Sequence, residues 1–166
     1  MIRLVALTVM CAPLVAGCAL RPVYAGGASG PVASTLSAIS VASIPNRAGW
    51  LMRNALVDRL GGDNKSAAYR LEVDLDDDIS GFGIRGDRSI TRERRQLRAR
   101  YRLVQVSSGL VLLDATAGSD AGIDVVSSPY ATVAAEQTAL ERLSRVVADQ
   151  IVARLALYAT SRPIGQ

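Results

Sequence analysis

Apolar and polar side chains alternate strictly over two segments of the chain. In residues 69–76, Tyr69, Leu71, Val73 and Leu75 fall on one side, and Arg70, Glu72, Asp74 and Asp76 on the other. Residues 97–103 repeat the pattern, with Leu97, Ala99, Tyr101 and Leu103 opposed to Arg98, Arg100 and Arg102. Side chains leave a strand on opposite faces with a period of two, so each segment predicts a half-buried antiparallel strand. The polar faces carry opposite charge, which suggests a register: Glu72 against Arg102, Asp74 against Arg100 and Asp76 against Arg98. The same register stacks Leu71 on Leu103 and Val73 on Tyr101, and a one-residue slip would turn every apolar side chain out of the core. Strand pairing and ligand contact are the two roles open to these arginines.

A third strand is expected after Ser107-Ser108-Gly109, where Gly109 can take the positive φ of a three-residue hairpin loop. With Val106 opposite Leu110, the inward positions are Leu113, Ala115 and Ala117, beside Leu103, Tyr101 and Ala99, while Asp114 reaches Arg102. This strand is expected to end near Ser119, with residues 118–128 as a loop. Earlier, Ile39 to Ile44 roughly alternates apolar and small residues, the mark of a short strand.

Elsewhere the period changes to that of a helix. After Pro45, with Asn46 as the expected N-cap, Met52, Ala55, Leu56 and Leu60 lie on one face, Leu51 and Val57 flank them, and Gly61-Gly62 closes the helix. Ser128-Pro129 opens a second helix whose stripe is Leu140, Leu143, Val147, Ile151, Leu155 and Tyr158, ending near Thr160. Glu141, Arg142, Arg145, Asp149 and Arg154 lie mostly off that stripe. The spacing admits a coiled coil, but one helix beside a small sheet more often packs on it. The predicted order is strand, helix, three-stranded meander, helix. Two helices on one face of a mostly antiparallel four-stranded sheet make an α+β fold.

Composition bounds this picture. The chain has 166 residues, 49% apolar and 20% charged, which suits one globular domain. Its formal charge of +4 comes almost wholly from arginine, Lys65 being the one lysine. Guanidinium groups favour bidentate contact with carboxylate or phosphate, so nucleic acid, anionic lipid and acidic glycolipid all remain possible from charge alone. There is no histidine, and both cysteines, Cys11 and Cys18, lie near the start. Ser-His-Asp and Cys-His catalysis and the usual zinc sites are thereby excluded from the rest of the chain.

That start is a chemical feature in itself. After Arg3, residues 4–17 are apolar but too few to cross a bilayer comfortably, and Pro13 interrupts them. Their end, Leu14-Val15-Ala16-Gly17-Cys18, resembles the bacterial lipobox. The resemblance implies a signal peptide over 1–17, removed before a cysteine that has received a diacylglyceryl group, so that it carries two or three acyl chains such as palmitate. At about 0.8 kcal/mol per buried methylene, two or three such chains anchor a protein permanently. Residues 18–37, rich in Gly, Ala, Ser and Pro, read as the lipidated cysteine and a flexible tether. The domain then spans 38–160, with a short tail over 161–166.

Candidate chemistry is sparse. Asp74-Leu75-Asp76-Asp77-Asp78 is the dense carboxylate run, but alternation puts Asp74 and Asp76 opposite arginines, and the glycine spacing of a calcium loop is absent. Gly81-Phe82-Gly83-Ile84-Arg85-Gly86 lacks the lysine of a phosphate loop and precedes no helix, so it reads as a hairpin tip. Phe82 and Ile84, followed by Arg85, Arg88, Arg92, Arg94 and Arg95, would place apolar and cationic groups together. Such a tip suits a molecule with acyl chains and phosphates, or an anionic membrane; a solvated loop is the alternative.

From Cys18 to about Leu157 the chain resembles the LptE family of lipopolysaccharide-assembly lipoproteins. The resemblance rests on Gly17-Cys18 and Leu20-Arg21-Pro22-Val23-Tyr24, and on Ile44 to Leu60 with Arg53-Asn54-Ala55-Leu56. The charged hairpins extend it, and the last helix completes it with Glu136, Ala139, Leu143, Ala148, Ile151 and Arg154-Leu155-Ala156. It implies a non-enzymatic, cofactor-free outer-membrane lipoprotein that plugs the β-barrel LptD and helps deliver lipopolysaccharide, without nucleic acid as a partner. Ala19 stands where inner-membrane retention often uses aspartate, in keeping with the outer membrane. If the ligand is lipopolysaccharide, its contacts are expected at the apolar and cationic tip, among Phe82, Ile84, Arg85, Arg88, Arg92, Arg94 and Arg95. The rival readings are an auxiliary lipoprotein of a lipid-exporting ABC transporter and a periplasmic hydrolase using Asp74, Asp76 or Asp78.

Overall fold

The computed structural model describes residues 31–62, 66–84 and 90–161. Its elements in chain order are α1 (Pro31–Ser37), β1 (Ile39–Val41), α2 (Asn46–Leu60), β2 (Tyr69–Ile84), β3 (Ile90–Gln105), β4 (Val111–Asp124) and α3 (Pro129–Ser161). The four strands form one sheet in the order β1-β2-β3-β4, with β1 parallel to β2 and the other pairs antiparallel. The predicted α+β class is the observed one.

The alternating segments pair in the expected register. Leu71 faces Leu103, Glu72 faces Arg102, Val73 faces Tyr101, Asp74 faces Arg100 and Asp76 faces Arg98. On the other side of β3, Leu103, Tyr101 and Ala99 meet Leu113, Ala115 and Ala117. Leu71, Leu97, Ala99, Tyr101 and Leu103 are buried, and the helices cover them. α3 runs along β3 and β4, with Leu140, Leu143, Val147, Ile151 and Leu155 buried beneath it. α2 lies beside α3 and over β1, burying Met52, Ala55, Leu56 and Leu60. The second stripe therefore packs on the sheet and is not a coiled-coil seam.

The lengths of several elements differ from expectation. β2 and β3 continue well past Asp76 and before Leu97, and β4 extends past Ser119 to Asp124, so 118–124 is strand and not loop. Alternation announces a strand only where apolar side chains fill one face without a break; beyond that the ladder continues, through mostly polar residues on β2 and β3 and, on β4, through small ones that lead to the buried Ala121 and Ile123. β1 is shorter than predicted, because the chain leaves the sheet after Ala42 donates to the Leu71 carbonyl at 3.0 Å, and Ile44 turns into the core. Residues 31–37, assigned to the tether by composition, form a helix that buries Val32 and Leu36.

Local geometry settles the ends. Gly61 closes α2 in the left-handed region at φ 93°, and Gly109 turns the β3–β4 hairpin at φ 71°. The hairpin loop is longer than three residues: Gln105 N donates to the Leu110 carbonyl at 2.9 Å, and Val106 and Leu110 lie outside the strands. A bulge between Leu103 and Val104 leaves Leu112 as the extra residue on β4. At the start of α2 the N-cap is Pro45, not Asn46; Asn46 is the first helical residue, at φ 68°, and no side chain caps the helix. Ser128 precedes α3 as expected, and its carbonyl accepts from Ala131 N and Thr132 N.

Candidate functional site at the sheet tip

The expected apolar and cationic group lies where β2 and β3 approach their turn. Arg85 and Arg88 lie outside the described residues, as does the side chain of Ile84, whose backbone pairs with Ile90. Phe82 pairs with Arg92 across the ladder, and the Arg94 guanidinium stands 5.5 Å from the Phe82 ring centre. All three side chains belong to the outer face of the sheet, away from the helices. Phe82 is 40% exposed, and Arg92 bridges to Asp124 on β4 at 3.0 Å. The tip is further tied by Thr91 Oγ1, which donates to the Gly83 carbonyl at 2.8 Å.

Arg95 does not join this group. Strand alternation turns it to the helix side, where its guanidinium donates twice to Asp77, at 2.7 and 2.6 Å, and once to the Glu136 carbonyl of α3 at 2.9 Å. The Asp77 hydrogen bonds hold its pKa above the ordinary arginine value, despite partial burial that opposes this. It locks the tip to α3. Below it, Glu93 also points inward, and its Oε2 is buried without a hydrogen-bond partner.

Sequence reasoning missed the apolar residues that share this end of the molecule. Val125 N donates to the Thr91 carbonyl at 3.0 Å, so the β4–α3 connection sits at the tip. There Val126, Tyr130 and Val133 are exposed, Tyr130 at 89%. The available signal was apolar residues in the first turns of α3 that fall outside its buried stripe. These three lie at the same end as Phe82, Arg92 and Arg94 but on its helix side; on the outer face, the ring beside two guanidinium groups can meet an acyl chain and phosphate.

The outer face of the sheet redistributes its charges. Glu72 and Arg102 pair as expected at 3.2 Å, and Arg70 adds a second bond to Glu72. Asp74–Arg100, Asp76–Arg98 and Asp114–Arg102 do not form. Arg100 instead reaches diagonally to Asp114, with bonds of 3.1 and 2.8 Å, and Arg98 donates to the Ser119 carbonyl at 3.3 Å. Arg100 holds the Asp114 carboxyl below its usual value. These long side chains lean toward β4, where Arg100 finds a carboxylate and Arg98 a ladder carbonyl. Asp74, Asp76 and Asp78 are left with no hydrogen bond or ion pair among the described residues.

No group of three potential metal ligands converges among the described residues, and Asp77, bound to Arg95, lies on the opposite face from Asp74, Asp76 and Asp78. Nor is any described helix long and apolar enough to cross a membrane. The fold is a four-stranded sheet covered on one face by helices, with a mixed apolar and cationic tip. Residues 36–155 match the profile of the LptE family, described as lipopolysaccharide-assembly, and the chain belongs to that family. No curated protein matches it in sequence.

Solved structures agree on the fold. A protein of Caulobacter crescentus described as a lipoprotein is 27% identical, with a TM-score of 0.67 over 80% of this chain and 97% of that one. Rare lipoprotein B of Shewanella oneidensis superposes with a TM-score of 0.59 at 11% identity, over 74% and 95% of the two chains. A minor lipoprotein of Acinetobacter baumannii gives 0.55 at 12% identity, over 72% and 88%.

Proposed function

We propose that this chain is an outer-membrane lipoprotein, cut before Cys18 and acylated there, that plugs an LptD β-barrel and helps insert lipopolysaccharide into the outer leaflet. Membership of the LptE family over residues 36–155 is the observation that carries this reading. The surface is compatible with it. A barrel lumen is polar, and the outer face of this sheet is a lattice of arginines, aspartates and a glutamate rather than an apolar layer. The anchor, not the domain, supplies membrane attachment. The role is non-enzymatic and needs no cofactor.

Phe82, Arg92 and Arg94 are the described residues assigned to lipopolysaccharide, with Ile84, Arg85 and Arg88 beside them in the chain. Arg95 is a positioning residue that fixes the tip against α3. Affinity capture of the acylated chain from Gram-negative membranes should bring down a large β-barrel. Recovery of an inner-membrane ATPase complex instead would favour a transporter accessory, and recovery of neither would defeat the proposal. Phe82→Ala with Arg94→Ala should weaken lipopolysaccharide binding about tenfold, from the loss of an acyl-chain contact with the ring and of a charge-assisted phosphate contact. An unchanged affinity would remove the tip from the binding surface.

A further inference from the structure

The outer edge of β2 is unfilled over most of its length. Tyr69 N donates to the Ala38 carbonyl at 3.2 Å and Ala42 N to the Leu71 carbonyl at 3.0 Å, so odd-numbered residues of β2 aim their peptide groups to that side. β1 ends at Val41, opposite Leu71. From Val73 through Leu75, Asp77 and Ile79 to Gly81, no described residue hydrogen-bonds to these peptide groups. Asp77 shows the consequence: it is an exposed residue although its side chain is only 21% accessible, so its main chain faces solvent. The open stretch is about 30 Å long at roughly 3.3 Å per residue.

Open edges invite other strands, and proteins usually block them. Here the block is selective. On the outer face the edge carries Asp74, Asp76 and Asp78: Arg100 and Arg98, opposite the first two, reach toward β4, and Asp78 stands opposite Gln96. A second copy presenting the same edge would set aspartates against aspartates, and an anionic lipid would meet the same repulsion. On the helix side the edge borders a groove of about 570 Å³, whose apolar lining includes Ile44, Pro45, Val73, Leu75 and Leu140.

We propose that the β2 edge from Val73 to Gly81 accepts an extended segment of a partner protein as an added strand, one that alternates basic with apolar residues. Its backbone completes the hydrogen bonds that β1 leaves open. Its basic side chains lie beside Asp74, Asp76 and Asp78, and its apolar ones enter the groove between β2 and the start of α2. Main-chain bonds supply attachment, and the two faces supply selectivity. The acidic stretch from Asp74 to Asp78 lies below the Phe82 and Arg94 end, which the edge meets at Ser80 and Gly81, and strand addition there does not depend on lipid binding.

The test uses the full chain in detergent and synthetic peptides of alternating arginine and valine or alternating aspartate and valine. The basic peptide should slow amide hydrogen exchange at Val73, Leu75, Asp77 and Ile79, and the acidic one should not. The triple variant D74N/D76N/D78N should weaken the basic peptide about tenfold, the combined effect of three cross-strand charge contacts. Ile79→Pro removes one edge N–H at an exposed site where proline is tolerated, and should abolish the protection while the melting transition stays in place. Should that variant fail to fold, the triple variant decides. Binding that leaves these amides exchanging freely, or a dimer of the chain forming through this edge without peptide, overturns the proposal.

Discussion

Gly49 shows how a single missing atom sets the approach of an element. A Cβ there would lie 2.5 Å from the Ile44 carbonyl oxygen and 2.6 Å from its carbon, so α2 can rest on the β1–α2 turn only with glycine at this point. Backbone cannot yield as a flexible side chain can. Gly49→Ala should therefore cost about 1–3 kcal/mol, despite alanine's better helix propensity, and lower the melting temperature. An unchanged or higher melting temperature would show that the turn can shift. The helical period around Met52 and Leu56 says nothing of this contact, because it depends on how the chain returns over β1. Arg95 teaches a related lesson: parity with Leu97 gives its face only if the strand extends to it, and pairing with Ile79 and Ala121 shows that it does.

At the level of elements, α2 and α3 are clamped by Arg59, whose Nη2 donates to Asp149 at 3.2 Å and whose Nη1 donates to the Ala55 carbonyl at 2.8 Å. The hydrogen bond from Arg59 holds the Asp149 carboxyl below its usual value. A carboxyl lowered in the folded state favours folding above its unfolded pKa, about 3.9, and that contribution disappears as pH falls through the folded value. Asp149→Asn should accordingly flatten the acid limb of the stability–pH curve and leave the neutral limb little altered in slope. Chemical denaturation at several pH values checks it; an acid limb as steep as the parent's would show the clamp to be energetically silent. The pair is solvent-exposed, so its effect is small and weakens with salt. Neither helix reveals this pairing in its own pattern, since both residues lie off the apolar stripes.

On the scale of the whole molecule, attachment and fold are separable. Cys18→Ala should release the chain from the membrane fraction while the domain's melting temperature stays the same, because the described core, from Val32 to Ala156, contains no cysteine. Loss of the fold together with the anchor would contradict that separation. The core strands, their register and the two long helices were legible in the sequence, because each buries one face and the period of burial is written along the chain. The family resemblance was legible too, from short motifs such as Gly17-Cys18 and Arg53-Asn54-Ala55-Leu56 taken in order. What only the tertiary structure decided lies where the local pattern is short or weak: the extension of β2 and β3 through polar residues, that of β4 to the buried Ala121 and Ile123, the helix over Pro31–Ser37 that buries Val32 and Leu36, and the bond of Arg95 to Asp77. The choice of Asp114 over Asp74 by Arg100 belongs there too, with the open β2 edge that this choice leaves acidic. Local periodicity records which side of an element meets the core. Long polar side chains choose among several neighbours, and which neighbours exist is settled only when strands and helices have been brought together.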